Sequence, residues 1–290
     1  MTPDYPNISP ALWVAQSKVY ATNSAIWISD GRACLVDPGV CPEEIGGIAG
    51  FLEAQSALSS VVVLTHAHWD HLLGAARFPK ARVLANTSYR RVIQHHGPDL
   101  LRQVAQFGKL CGTDPCLPFQ VPQPLLWSNS PEHLCIGRLE LDLYHAPGHT
   151  EDQCVVYEPR YGVLWAADML SNQELPSISY RLDAYEQTLE LLAGMPVRVL
   201  VPGHGAVASD PVEIHHRFAQ DQAYLRALRV CIQSALDQGL GIGETVAACG
   251  TVGLPRGDGD TVTAAWNVET VYAELGGSVE PPVGWEKEWV

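Results

Sequence analysis

Residues 59–65 read "SSVVVLT", with Val61, Val62, Val63 and Leu64 in unbroken succession. The run is too short for a core helix, has no polar face and is β-branched, so it predicts a strand buried inside a sheet. "GVLWAAD" (162–168) and "VRVLVPGHG" (197–205) have the same character, and "RLELDLYHA" (138–146) alternates apolar and polar residues in strand fashion. Near the start, "LWVAQSKVY", "SAIWIS" and "RACLVD" are short segments rich in branched and aromatic residues, divided by polar or glycine breaks. They predict consecutive antiparallel strands, followed by a turn at "DPGV" and a helix over 42–57.

Further along, the patterning predicts a short helix over 70–77, a strand at "ARVLA" and a helical segment over 86–108. Residues 111–131, rich in proline, read as loop, "QCVVYEP" as a strand and 182–192 as a helix. From Pro211 the texture changes to one long helix stopped by Gly239 and a shorter one stopped by Gly276 and Gly277. The expected organisation is therefore a catalytic domain over 1–210 and a small helical tail over 211–290.

Each buried strand ends in a polar residue suited to chemistry. "VLTHAHWDH" places His66, His68, Asp70 and His71 just beyond the first run. His149 in "APGHTED", Asp168 in "LWAADML" and His204 in "VPGHG" stand in the same position relative to their own strands. If the strand ends align, all seven converge on one rim. Imidazole and carboxylate are the donors that borderline divalent metals prefer, and five histidines with two aspartates exceed what one tetrahedral ion can use. Two divalent ions bridged by a carboxylate would use them all. His95, His96, His215 and His216, on helix-like segments, read as solvated faces and are left out of the candidate site, as are His133 and His145.

Assembled in this way, the chain resembles the metallo-β-lactamase superfamily, through H-x-H-x-D-H (His66, His68, Asp70, His71) and the later His149, Asp168 and His204. The resemblance spans about residues 10 to 210. It implies an α/β fold, the αββα sandwich, with the metals at one edge of the two sheets. It also implies one ion on His66, His68 and His149, a second on Asp70, His71 and His204, and Asp168 bridging them. Asp37, in "LVDPG", matches a family position that supports the metal ligands. "HAHWDH" and "PGHT" look most like the glyoxalase II and lactonase branches. No basic cluster flanks "MLSNQELPS" to hold a glutathione carboxylate, and Ser171 stands where some lactonases have a tyrosine. A bridging aspartate is usually lacking in antibiotic-hydrolysing members. His68 stands where flavin-partnered diiron reductases have glutamate. The tail is similar to the helical or winged-helix-like tails of some superfamily hydrolases.

The chemistry so implied is hydrolysis of a carbonyl ester, thioester or lactone by a metal-bridging hydroxide, with Asp70 or Asp168 carrying the proton. Zinc is the expected metal, with iron or manganese as alternatives. Rival readings are a metal-dependent phosphodiesterase or ribonuclease, a β-lactamase, an iron-dependent sulfur dioxygenase, and a binding module that keeps metal for stability alone. Residues 86–127 are the expected substrate cover, with Tyr89, Phe107 and Leu110 as an apolar wall. Trp69 either lines the pocket or packs beneath it.

Composition bounds the partners. The formal charge is −14, and from Pro211 onward five Lys or Arg face eleven Asp or Glu, the wrong sign for gripping nucleic acid. A small-molecule substrate is expected, with the tail covering the sandwich or making a homodimer contact. No apolar run is long enough to span a membrane and the first residues lack a signal-peptide pattern, so the expected location is cytoplasmic. Eight scattered cysteines read as reduced core residues, with Cys111 and Cys116 alone close enough in sequence for a clip.

Overall fold

A computed structural model describes residues 4–110, 119–253 and 260–279. The first half builds a seven-stranded sheet in the order β1 (Asn7–Ser9), β2 (Leu12–Gln16), β3 (Asn23–Ser29), β4 (Arg32–Val36), β5 (Leu58–Val63), β6 (Arg82–Asn86) and β7 (Leu125–Trp127). Pairing is antiparallel from β1 to β4 and parallel from β4 to β7. The second sheet has five strands: β8 (Glu132–Ile136), β9 (Leu139–His145), β10 (Cys154–Glu158), β11 (Val163–Trp165) and β12 (Val199–Val201), with β12 at the edge parallel to β11. Helices α1 (Pro42–Ala54), α2 (Trp69–Leu72) and α3 (Tyr89–Leu110) belong to the first half. They are followed by α4 (Leu182–Ala193), α5 (Pro211–Asp237), α6 (Ile242–Cys249) and α7 (Asp260–Glu274).

The period-two geometry of a strand sorts the apolar side chains into layers. Cys34, Val36, Val61, Val63, Val156 and Trp165 point between the two sheets and form one cluster with Trp27, Leu141 and Leu143. Their neighbours Leu35 and Val62 point the other way, onto a second cluster with Phe51 of α1 and Val92 of α3. On the far side, Val155 and Leu164 pack against Leu189 of α4, Leu225 of α5 and Val268 of α7. Both faces of each sheet are thus covered, which explains why these strands read as continuous apolar runs. The result is the αββα sandwich expected from the sequence, with the C-terminal helices on its second outer face.

The structure departs from the sequence reading at several points. The helix expected over 70–77 is one turn, α2, and then a 3₁₀ turn at Ala75–Arg77. It breaks at Gly74, where a Cβ would sit 1.7 Å from the Pro38 carbonyl oxygen, so two backbones touch there. The loop expected over 111–131 contains β7, a three-residue edge strand held by β6 and too short to show periodicity. β1 and β8 were also not anticipated. Cys231 and Cys249 form a disulfide with Cα atoms 5.9 Å apart, where reduced cysteines were expected; tertiary packing brings α6 back beside α5. Cys111 and Cys116 lie outside the described residues.

Candidate metal centre

The ends of strands from both sheets meet at one rim. His66 and the α2 residues follow β5, His149 lies between β9 and β10, Asp168 follows β11 and His204 follows β12. Backbone bonds across the rim lock the sheets together there: the Cys154 N–H donates to the Thr65 carbonyl at 2.9 Å, and the Asn23 N–H to the Gly203 carbonyl at 2.6 Å. Asp37, Ala167, Leu170 and Tyr20 all have φ near +50° to +60° beside this rim, a conformation L residues adopt only under surrounding constraint.

All seven predicted residues come together. Donor atoms of His66, His68, His149 and Asp168 lie within 4.8 Å of one another, as do those of Asp70, His71 and His204. Asp168 sits between the two groups. Its Oδ2 is 3.5 Å from His66 Nε2, 3.4 Å from His149 Nε2 and 3.3 Å from His204 Nε2, while Oδ1 is 3.2 Å from His71 Nε2. Asp70 Oδ2 lies 3.4 Å from both His71 Nε2 and His204 Nε2.

The outward ring nitrogens determine what faces inward. His149 Nδ1 is 2.8 Å from the Ser177 carbonyl, His204 Nδ1 is 3.0 Å from the Tyr20 carbonyl, and His71 Nδ1 is 2.8 Å from Asp37 Oδ2. These oxygens only accept, so each Nδ1 carries a proton and each ring turns its Nε2 to the site. Thr65 extends the same logic to His66. Its hydroxyl donates to Asp37 Oδ2 at 2.6 Å and so accepts from His66 Nδ1 at 3.0 Å. Asp37 Oδ1 also accepts the Thr65 N–H at 2.9 Å. Asp37 therefore orients His71 directly and His66 through Thr65, the supporting role the resemblance implied.

This arrangement fits divalent metal. His66 Nε2 and His149 Nε2 each lie 3.0 Å from His68 Nδ1. The buried His71 Nε2 and Asp168 Oδ1 make no hydrogen bond although they are 3.2 Å apart. Converging lone pairs and carboxylates repel one another unless protons or cations lie between them. Without metal, protons do part of that work. Burial alone would push His204 down, but Asp168, Glu174 and Asp70 outweigh it and raise its pKa to about 10. His71 is likewise held well above the usual histidine value, with burial overcome by Asp168, Asp70 and Asp37. In the other group, burial with neighbouring His66 holds His68 well below that value, and burial pushes His149 down to about 4. Asp70 and Asp168 lie below the ordinary carboxylate range because His71 and His204 outweigh their burial.

Beside the ligand cluster is a small cavity lined by His149, Asp168, Ser171, Glu174, Ser177 and Tyr185, among others. The segment after β11 therefore borders the site, and with Glu174 it brings negative charge where a glutathione site would bring positive. The wall expected from α3 is only partly there. Phe107 packs against Trp69 in a tilted pair at 4.3 Å between ring centroids, and the Tyr20 ring meets Trp69 edge-on at 6.2 Å. Tyr89 instead packs in the core beneath the first sheet and donates its hydroxyl to the Pro122 carbonyl. Its ring begins α3 on the helix's buried side. The Leu110 side chain lies outside the described residues. Thr65, Ser177 and the Tyr20 carbonyl were missed in the sequence. Only Thr65 had a local signal, its place immediately before the histidine motif.

The sequence profile of the metallo-β-lactamase superfamily matches residues 19–204, more than half of the chain and all seven of these side chains. The chain belongs to that superfamily. It is similar to the beta-lactamase-like protein 2 homolog of Drosophila melanogaster, 26% identical over 71% of this chain and 67% of that protein. Among solved structures, it resembles a stereoselective inverting sec-alkylsulfatase from Pseudomonas sp., with a TM-score of 0.73 and 16% identity. That match covers 95% of this chain but only 50% of the sulfatase. A metallo-beta-lactamase family protein from Thermus thermophilus aligns with a TM-score of 0.69 and 20% identity, over 93% of this chain and 95% of that one. The two structural likenesses concern the fold.

Proposed function

We propose that this superfamily hydrolase is dinuclear and cleaves a carbonyl ester, thioester or lactone in a small, neutral or cationic molecule. The observation that carries the reading is the position of Asp168, with its two carboxylate oxygens within 3.5 Å of four histidine nitrogens drawn from both donor groups. His66, His68 and His149 would hold one ion, Asp70, His71 and His204 the other, and Asp168 would join them. Bound there, two such ions supply Lewis acidity and a water acidic enough to become a nucleophile near neutral pH.

The chain's own residues do the rest. Asp37 and Thr65 keep imidazole lone pairs aimed inward. Asp70 and Asp168, held below the ordinary carboxylate range by His71 and His204, are ionised at neutral pH and suited to hold a cation. The half-buried Trp69 and exposed Tyr20, backed by the buried Phe107, offer an aromatic surface for an apolar acyl chain. The buried thiol of Cys34, pushed up to about 12 by burial, is no candidate nucleophile.

The test is elemental mass spectrometry on protein purified without chelator, paired with a panel of ester, thioester, lactone, β-lactam, phosphodiester and sec-alkyl sulfate substrates. About two zinc, manganese or iron ions per chain, with carbonyl hydrolysis lost on stripping and restored on reloading, is the expected result. A single iron with oxygen consumption, or turnover confined to phosphodiesters, sulfates or β-lactams, overturns it.

A further inference from the structure

The C-terminal helices send three buried polar side chains towards the metal centre, and all three lie beyond the stretch shared with the superfamily profile. On α5, Asp221 accepts the Leu170 N–H at 3.2 Å, and Arg217 donates to the Ala206 carbonyl at 2.8 Å and the Leu170 carbonyl at 3.4 Å. These contacts hold the turns just after Asp168 and His204. On α7, Asn267 is completely buried. Its Oδ1 accepts the Ile178 N–H at 2.7 Å, and its Nδ2 donates to the Pro176 carbonyl at 2.7 Å and to the Tyr224 hydroxyl at 2.7 Å. The neighbouring Trp266 donates its indole N–H to the Ile178 carbonyl at 3.2 Å.

Pro176 and Ile178 flank Ser177, whose carbonyl holds His149 Nδ1. The Ser179 N–H in turn donates to the His149 carbonyl at 2.9 Å. Asn267 therefore grips the peptide on both sides of the one acceptor that selects the His149 tautomer and aims its Nε2 inward. Only one orientation of the amide meets both an N–H and a carbonyl, so the grip also sets the direction in which the Ser177 carbonyl points.

We propose that Asn267 is a positioning residue of the metal centre, acting on His149 through Ser177, and that α7 is thereby part of the site. The proposal rests on the reading of His149 as a metal ligand. Partners that orient a ligating histidine are worth roughly 10- to 100-fold in metal affinity. A purely structural Asn267 would lower stability and leave that affinity alone.

The experiment measures zinc affinity by competition with a chromophoric chelator, and the visible spectrum of the cobalt-loaded protein, on the full chain. It compares wild type, Asn267→Asp and Val268→Ala. Asn267→Asp keeps the acceptor for Ile178 but loses the donor to Pro176. Val268→Ala weakens the core on the same helix, where Val268 is fully buried, without touching the loop. The expected result is a roughly 10- to 100-fold weaker first zinc and a shifted cobalt spectrum for Asn267→Asp only. Should that variant not fold, the milder Trp266→Phe decides: several-fold weaker zinc supports the proposal and wild-type affinity overturns it. Equal losses in Asn267→Asp and Val268→Ala, or none in either, overturn it while leaving the dinuclear reading in place. Wild type that takes up no metal overturns both.

Discussion

The carboxylate of Asp37 holds Thr65 by two hydrogen bonds and His71 by a third, and its own backbone carbonyl accepts the Ser24 hydroxyl at 2.7 Å. Removing it unties His66 and His71 together, so Asp37→Ala should lower zinc affinity by roughly 10- to 100-fold in a chelator competition. Thr65→Ser, which keeps the hydroxyl link, should bind zinc as wild type does, whereas Thr65→Val should not. His204 predicts a pH dependence of the stripped protein. Its folded pKa, about 10, exceeds the unfolded value of 6.5, so the stabilisation is complete below pH 6.5 and is lost as pH rises towards 10. Thermal melting of the metal-free protein should therefore fall between pH 7 and pH 10. Metal-loaded protein, whose His204 carries no such proton, should lack this fall.

At the scale of strands and turns, the runs buried on two faces were the legible elements. β5, β10, β11 and β12 were found because each carries an unbroken apolar stretch, Val61–Val63, Cys154–Tyr157, Val163–Trp165 and Val199–Val201, that packing on both faces requires. β7 escaped because three residues at a sheet edge are specified by hydrogen bonds to β6 and not by any pattern of their own. Trp165 is fully buried between the sheets, and Trp165→Ala should cost about 3–5 kcal/mol in urea unfolding. The turn after β12 is constrained more tightly still. A Cβ on Gly203 would lie 2.2 Å from Asp168 Oδ1 and 2.9 Å from the Ala167 carbonyl carbon. Gly203→Ala should displace the Asp168 carboxylate, and on the proposed dinuclear reading elemental analysis should find fewer than two metals per chain in otherwise folded protein.

Across the whole molecule, the helical layer on the second sheet is continuous with the sandwich. One hydrophobic cluster joins Leu164 and Leu200 of that sheet to Leu189, Leu225 and Val271 of the helices. Glu274 of α7 accepts the Leu182 and Asp183 N–H groups at the start of α4, where the helix has no side-chain cap of its own. Of the two roles expected for the tail, covering the sandwich or a homodimer contact, the described residues of α5 and α7 take the first by packing on the second sheet. Among the described residues no helix is long and apolar enough to cross a membrane. The sequence by itself determined the donor set, its spacing within "HAHWDH" and the identity of the strands that carry it, because strand periodicity and ligand chemistry are properties of neighbouring residues. Tertiary structure alone decided that Asp37 would reach His71 across 34 positions, that Asn267 would hold the loop around Ser177 from 89 positions away, and that Cys231 would meet Cys249. Those contacts depend on how two sheets and their covering helices pack, and no local pattern in the chain records that packing.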